Sequence, residues 1–374
     1  MTEPLDSIAG FPMHGSRKMI EEGFRTRDGH LLEWFSKILG QRSTVNVYSR
    51  PEPSVTRLAD SRRKHLSDIH ANMLEQPSYS GRLPKLSNRQ HWWVKSANSY
   101  RSLDSVSPES PAIIWNPFVA VSNIKNDVFN GRRVVIVDLL DDWTTHFAFA
   151  GIREETEHAY KVLFDSADHV TTNAEGTLSL AHRFGRTDAE MILNGVDSTR
   201  FTPTHSASGP LTVGYVGKIG NRVDYALVVE TARALPGVKF VVAGPILDSA
   251  YKDLSRKAAN ITLTGDVHYD DMPSLLETFD IGWVPHNVGQ GEVGGDVIKT
   301  YEYRAAGLPV LTTPVAGAGA RGLQHVKVLD RSEHAAYLQD LASNYNRIQR
   351  IPESINVDME WKSKAEHILS LFNR

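Results

Sequence analysis

The run Gly291-Glu292-Val293-Gly294-Gly295-Asp296-Val297-Ile298-Lys299-Thr300-Tyr301-Glu302-Tyr303-Arg304-Ala305-Ala306-Gly307-Leu308-Pro309-Val310 decides the fold. It reads as a glycine loop, a short helix, a glycine stop and a strand. Asp296 is placed to cap the helix, Gly307 to end it, and Pro309 to prevent its continuation. Backbone N–H groups at such a helix start face an anion, and Lys299 adds a positive charge there. Glu302 lies on nearly the same helix face. One short helix can thus hold a phosphate near its start and offer a carboxylate, about a turn away, to vicinal hydroxyls. Those are the demands of a nucleotide sugar. Taken alone, the same residues also describe an exposed helix with a Lys–Glu pair at i,i+3.

Apolar, β-branched strands recur on either side of this run: Leu211–Gly217, Lys239–Gly244, Ile261–Gly265, Ile281–Pro285, Pro309–Thr313 and a weaker Val326–Asp330. Helical patterns separate them at Val223–Leu235, Ala250–Lys257, Met272–Phe279 and Val297–Ala306. Alternation of this kind predicts a parallel sheet covered on both faces, with ligands beyond the carboxyl ends of the strands. The first half is noisier. Its candidate strands are Ser7–Phe11, Thr44–Tyr48, Ala112–Trp115, Arg133–Leu139, His169–Thr172 and Met191–Leu193. Its candidate helices are Gly29–Leu39, capped by Asp28, then Arg57–Leu74, Ile152–Ser166 and Glu175–His182. A long irregular insert spans Gln76–Val106.

The chain has 374 residues, too many for one ordinary core, so two domains are expected. Apolar residues make up 41% and charged residues 23%, the balance of a water-soluble globular protein. A net charge of −3 gives no global pull toward nucleic acid or membrane. Cysteine is absent, which excludes disulfides, thiolate nucleophiles and Cys-ligated metals. No apolar run approaches the ~20 residues of a membrane helix, and Met1–Asp6 lacks the features of a signal peptide. A cytoplasmic enzyme is expected, with peripheral attachment to the inner face of a membrane left open.

The opening run resembles the donor-binding segment of GT-B glycosyltransferases, in particular the group 1 (family 4-like) nucleotide-sugar transferases. Lys299, Glu302, Tyr303, Ala305, Gly307, Pro309 and Val310 match the K-x-x-E-Y-x-A-x-G-x-P-V pattern of that class. One departure stands out: many members carry a second Glu eight positions before the helix Glu, and here that position is Gly294. Asn194-Gly195-Val196-Asp197 followed by Phe201 resembles the N-G-V-D-x-x-x-F signature that closes the N-terminal domain, and is also an ordinary Asn-Gly turn. Thr202–Pro210 has linker composition. In the last segment Trp361, Ala365, Ile368, Leu369 and Phe372 recur at helical spacing. The resemblance makes that segment a helix crossing back to the first domain; a plain edge helix is the alternative.

The resemblance therefore implies an α/β GT-B fold, with two Rossmann-like, doubly wound domains facing a central cleft. Residues 1–200 would form the acceptor domain, 201–351 the nucleotide-sugar domain and 352–374 the returning helix. On the donor side it points to Gly217, Lys218 and Arg222 around the pyrophosphate, where glycines admit the backbone and cations neutralise charge. Gly244 and Val267 sit at the next two strand-end turns. His286 follows another strand, as a phosphate or sugar contact or a polar loop residue. Gly294, Gly295, Asp296, Val297, Lys299 and Glu302 complete the set.

Asp141, Asp142 and His146 follow an apolar strand in the first half. Paired carboxylates beside a histidine suit general-base work, and helix capping explains them equally well. Arg25, Arg27, Asp28 and His30 stand in the first strand–helix loop as acceptor contacts or as a solvated basic loop. Arg50–Arg101 carries ten Lys and Arg against four Asp and Glu, a net +6 that leaves −9 for the rest. Tyr79, Trp92, Trp93 and Tyr100 interleave with those cations. The segment suits an anionic acceptor (a lipid-linked glycan, an envelope polymer or a nucleic acid) or a membrane face, or is a solvated helix and flap.

The expected reaction is transfer of a sugar from a nucleoside-diphosphate sugar, a UDP-sugar first, to an acceptor hydroxyl. Retention of configuration is expected, and Lys218, Arg222 and Lys299 take the leaving-group charge with no metal or other cofactor. A nucleotide-sugar epimerase on the same fold, or a non-catalytic carbohydrate- or polyanion-binding protein, are the alternatives.

Overall fold

The computed structural model describes residues 5–60, 63–84, 89–289 and 295–373. The chain forms two compact units. One comprises residues 1–193 with 293–295 and 361–374, the other 194–292 with 296–360.

The first unit holds strands β1 (Ser7–Phe11), β2 (Thr44–Tyr48), β3 (Glu52–Pro53), β4 (Met73–Gln76), β5 (Tyr79–Ser80), β6 (Ala112–Ile114), β7 (Val135–Leu139), β8 (His169–Thr172) and β9 (Glu190–Met191). Seven of them form one parallel sheet in the order β4-β2-β1-β6-β7-β8-β9, while β3 and β5 pair separately. Its longer helices are α1 (Ser16–Glu22), α2 (Arg27–Leu39), α3 (His91–Ala97), α4 (Arg153–Ser166) and α5 (Glu175–Arg183). Strand order reverses beside β1, the usual place for a ligand in an open α/β sheet.

Sequence periodicity fails at Arg57–Leu74. That stretch is not one helix: a single turn covers Arg57–Asp60, a 3-10 turn covers Leu66–Asp68, and β4 follows. His65 N–H donates to Asp68 Oδ2 at 2.7 Å, closing a turn inside the apolar pattern. Met73 to Gln76 then pair with Val45 to Tyr48, so tertiary pairing overrides local pattern. Asp28 is likewise not the cap of α2. Thr26 holds that position, and Asp28 sits inside the first turn.

The second unit holds β10 (Thr212–Val216), β11 (Lys239–Ala243), β12 (Ile261–Gly265), β13 (Ile281–Val284), β14 (Val310–Thr312) and β15 (Val326–Val328). They form one parallel sheet in the order β12-β11-β10-β13-β14-β15, again reversing beside its first strand. Helices α6 (Tyr225–Ala234), α7 (Met272–Glu277), α8 (Ile298–Ala305) and α9 (His334–Asn344) cover it. One apolar cluster packs Trp283, Tyr215, Phe240 and Leu227 on one side. A second packs Tyr301, Tyr303, Phe279 and Val284 on the other. A Cβ at Gly214 would fall 2.1 Å from the Phe279 ring, and one at Gly282 2.3 Å from the Tyr303 ring. These strands are glycine-bearing because aromatic rings lie flat on them.

The chain ends in helix α10 (Trp361–Leu371), whose buried face is Trp361, Ala365, Ile368, Leu369 and Leu371. It belongs to the first unit, where Trp361 stacks on His30 of α2 with ring centroids 4.8 Å apart. Among the described residues, no helix is long and apolar enough to cross a membrane.

Candidate donor-binding site

Helix α8 starts without a side-chain cap. Its N-cap residue is Val297, not Asp296. The Asp296 carboxylate is committed elsewhere: Tyr301 Oη donates to it at 2.7 Å, Arg321 Nε at 2.9 Å and Asn194 N–H at 3.1 Å. Asn194 Nδ2 also donates to the Asp296 carbonyl at 3.0 Å. An arginine and a phenol held at fixed positions outcompete the local backbone for the carboxylate. Asp296 thus ties the helix start to Asn194, Tyr301 and Arg321.

Beyond β10 and β13, at the reversal of strand order, the cations converge. A Cβ on Gly217 would fall 2.9 Å from Lys299 Cε and 3.3 Å from its Nζ. The Lys299 ammonium also lies 5.2 Å from the centroid of the Tyr215 ring. Burial pushes that ammonium down to about 7; Arg222 and Lys218 add to the effect and Glu302 opposes it. His286, 2% exposed, is pushed well below the usual histidine range by burial, then by Lys299 and Arg222. It packs edge-on against Tyr215, its Nε2 3.4 Å from Tyr215 Oη, so it lies beneath the cations as a neutral packing group. Cations that depress one another in this way favour an anion beside them.

Glu302, about one helical turn along, is buried. It acts on Tyr269, whose phenol is raised well above its usual range by burial first and then by the charge and hydrogen bond of Glu302. Backbone laces the strand ends beneath. Gly217 N–H donates to Ala243 O at 2.9 Å, and Gly244 N–H to Gly265 O at 2.7 Å. Gly217 and Gly244 adopt φ of 155° and 136°, and a Cβ on Gly244 would lie 1.9 Å from Gly217 O. No other residue type fits there. Val267 follows β12, and its N–H donates to Asp266 Oδ1 at 3.0 Å. Gly294 lies outside the described residues. Gly295 groups with the first unit, where a Cβ would fall 2.4 Å from Asp141 Oδ1.

In the first unit, the polar residues read from the sequence are mostly spoken for. Arg27, 2% exposed, forms a bidentate pair with buried Asp138, both bonds 2.8 Å. Trp115 Nε1 and Thr171 Oγ1 complete the shell of Asp138, each at 2.6 Å. Asp28 is buried too. Burial alone would raise its carboxyl, but the charge and hydrogen bonds of His14, with Thr26, hold it well below the carboxylate range. His30 is buried in the stack with Trp361, and Arg25 pairs with Glu22 at 2.9 Å. Arg27, Asp28 and His30 are therefore interior groups with no surface to present to an acceptor.

Asp142 is buried and acts as a cap. Its Oδ1 accepts from Thr144 N–H at 2.9 Å and Thr144 Oγ1 at 2.5 Å, with Arg183 3.4 Å from Oδ2. His146 accepts from Ala148 N–H through Nδ1 at 3.0 Å, capping the next turn. Asp141 is the partly exposed one of the two carboxylates. The basic-aromatic stretch is also partly interior: Arg50 stacks on Trp93 at 4.2 Å, Trp93 stacks on Phe118, and Tyr100 is buried. Arg62 and Lys85 lie outside the described residues.

Residues 210–344, which fall within the second unit, match the family model of glycosyl transferases group 1. This unit is a group 1 glycosyltransferase domain. Across the whole chain the fold is GT-B. Sucrose-phosphate synthase of Thermosynechococcus elongatus superposes with a TM-score of 0.67 over 98% of each chain, at 13% identity. HepE of Anabaena, solved with UDP and glucose, superposes with a TM-score of 0.60 over 98% of this chain and 96% of its own, also at 13% identity. In sequence, the chain is 26% identical over 140 residues to TuaH of Bacillus subtilis (strain 168), named for teichuronic acid biosynthesis. That match covers 34% of this chain and 35% of TuaH.

Several residues that secure helix α8 were not legible as such. Arg321 and Asn194 secure Asp296 from 25 and 102 residues away in sequence. Asn194 belongs to the N-G-V-D element, whose motif marked a domain end and gave no hint of a clamp. No sequence motif singled out Tyr269 or Tyr215. In the folded unit the Tyr215 ring lies 5.2 Å from the Lys299 ammonium, and Tyr269 lies beside Glu302.

Proposed function

We propose that this protein transfers a sugar from a nucleoside-diphosphate sugar, a UDP-sugar, to an acceptor hydroxyl. The observation that carries the proposal is the meeting of Lys299, Lys218 and Arg222 at the mouth of α8, with buried Glu302 one turn further on. The cations would take the diphosphate and stabilise the leaving group without a metal, and Glu302 would take sugar or ribose hydroxyls in place of its contact with Tyr269. A GT-B relative solved with UDP and glucose supports a UDP donor. Resemblance to group 1 enzymes supports retention. The match to a protein named for teichuronic acid biosynthesis supports an acidic glycan polymer or its lipid-linked precursor as acceptor. On the acceptor side, Asp141, beyond β7, is the candidate base once Asp142 and His146 are assigned as caps.

Calorimetry with UDP-glucose in excess chelator tests the donor site. Wild type should bind. Glu302→Ala should lose ~1–3 kcal/mol, the scale of a charge-assisted hydrogen bond. Lys299→Ala should weaken UDP far more than uridine. Unchanged affinity in both variants would move the donor site elsewhere. Interconversion of free UDP-sugars without any acceptor would replace transfer by epimerisation.

A further inference from the structure

Beyond their carboxyl ends, β2 and β4 continue as the short pair β3 and β5, with Glu52 opposite Tyr79 and Pro53 opposite Ser80. The turns that follow these two strands carry Val55, Leu58 and Leu83, exposed by 62%, 86% and 64%. Polar contacts hold the turns side by side. Ser54 Oγ donates to Ser80 O at 2.8 Å, Arg82 N–H to Ser80 Oγ at 3.3 Å, and the Arg57 guanidinium lies 5.8 Å from the Tyr79 ring. Arg57 and Arg82 are themselves exposed, as is Lys64. Single exposed leucines are ordinary, but three large apolar side chains on adjoining turns, interleaved with cations, mark an interaction surface.

The chemistry selects the partner. A soluble polyanion would pair with the cations and gain nothing from Leu58. An anionic bilayer satisfies both: apolar side chains enter the boundary of the acyl region while Arg57, Arg82 and Lys64 stay among the phosphates. Arg57 and Arg82 are exposed on the same turns as Leu58 and Leu83, so the attraction is local to the patch in a chain whose net charge is only −3. We propose that this patch of the first unit docks on an anionic lipid surface. The inference uses no residue of the donor site and stands or falls apart from it.

The test is flotation of the full chain with vesicles of phosphatidylcholine alone or mixed with phosphatidylglycerol. Wild type should float with the anionic vesicles, weakly with the neutral ones, and less as salt rises. Leu58→Glu combined with Leu83→Glu should cut binding by about tenfold or more, with unchanged melting temperature and UDP affinity. Arg57→Glu with Arg82→Glu should reduce both binding and its salt dependence. No flotation with anionic vesicles overturns the proposal, as does full binding by the leucine double variant. Capture by dextran sulfate without flotation assigns the patch to a soluble polyanion and overturns it equally.

Discussion

Donor binding should draw in a proton at Lys299. Burial pushes its ammonium down to about 7, and neighbouring Arg222 and Lys218 hold it there against Glu302. A diphosphate at the start of α8 would favour the charged form and return the group toward its ordinary value. Without ligand, Lys299 is mostly neutral above that pKa; with ligand it is charged. Affinity is therefore complete at lower pH and declines as pH rises through about 7, by up to tenfold per unit. From about pH 6 to about pH 9 the loss reaches as much as ~100-fold, about 2.7 kcal/mol. A UDP-sugar suits the assay, because its diphosphate is esterified on both sides and keeps its charge over that range. Calorimetry in paired buffers of different ionisation enthalpy should report uptake of roughly half a proton near pH 7 and nearly one at about pH 8.5. Lys299→Arg should bind with little pH dependence, since guanidinium stays charged. A dissociation constant that is flat across the range, with no proton uptake, refutes the reasoning.

Three further outcomes follow from the geometry. Gly244→Ala would drive a Cβ to 1.9 Å from Gly217 O and should cost about 1–3 kcal/mol of stability in denaturant titration while weakening UDP binding. Asp142→Ala should remove a cap worth ~1 kcal/mol, lowering the melting temperature with donor affinity unchanged; a loss of turnover with unchanged stability would restore a catalytic role. Trp361→Ala should cost ~3–5 kcal/mol by emptying the stack on His30, and a variant as stable as wild type would show that α10 adds little to the first unit.

Local pattern determined much of this protein. Strands such as Lys239–Ala243 and Ile281–Val284 are legible because buried parallel strands are near-continuous apolar runs. Helix α8 is legible because a glycine stop, a proline and the Lys299/Glu302 spacing lie within a few residues of one another. What the sequence could not show is which polar groups are already satisfied. Asp28, Arg27 and Asp142 look like reactive surface groups in one dimension. In three, His14, Asp138 and Thr144 consume them. Asp296 looks like a cap until Arg321 and Tyr301 reach it. The stretch 57–74 keeps a helical pattern, yet pairing with β2 makes its end a strand. Periodicity encodes burial of apolar surface, a property each short segment carries by itself. Hydrogen-bond partnership and mutual charge depend on distances between segments far apart in the chain, and those exist only once the strands have paired.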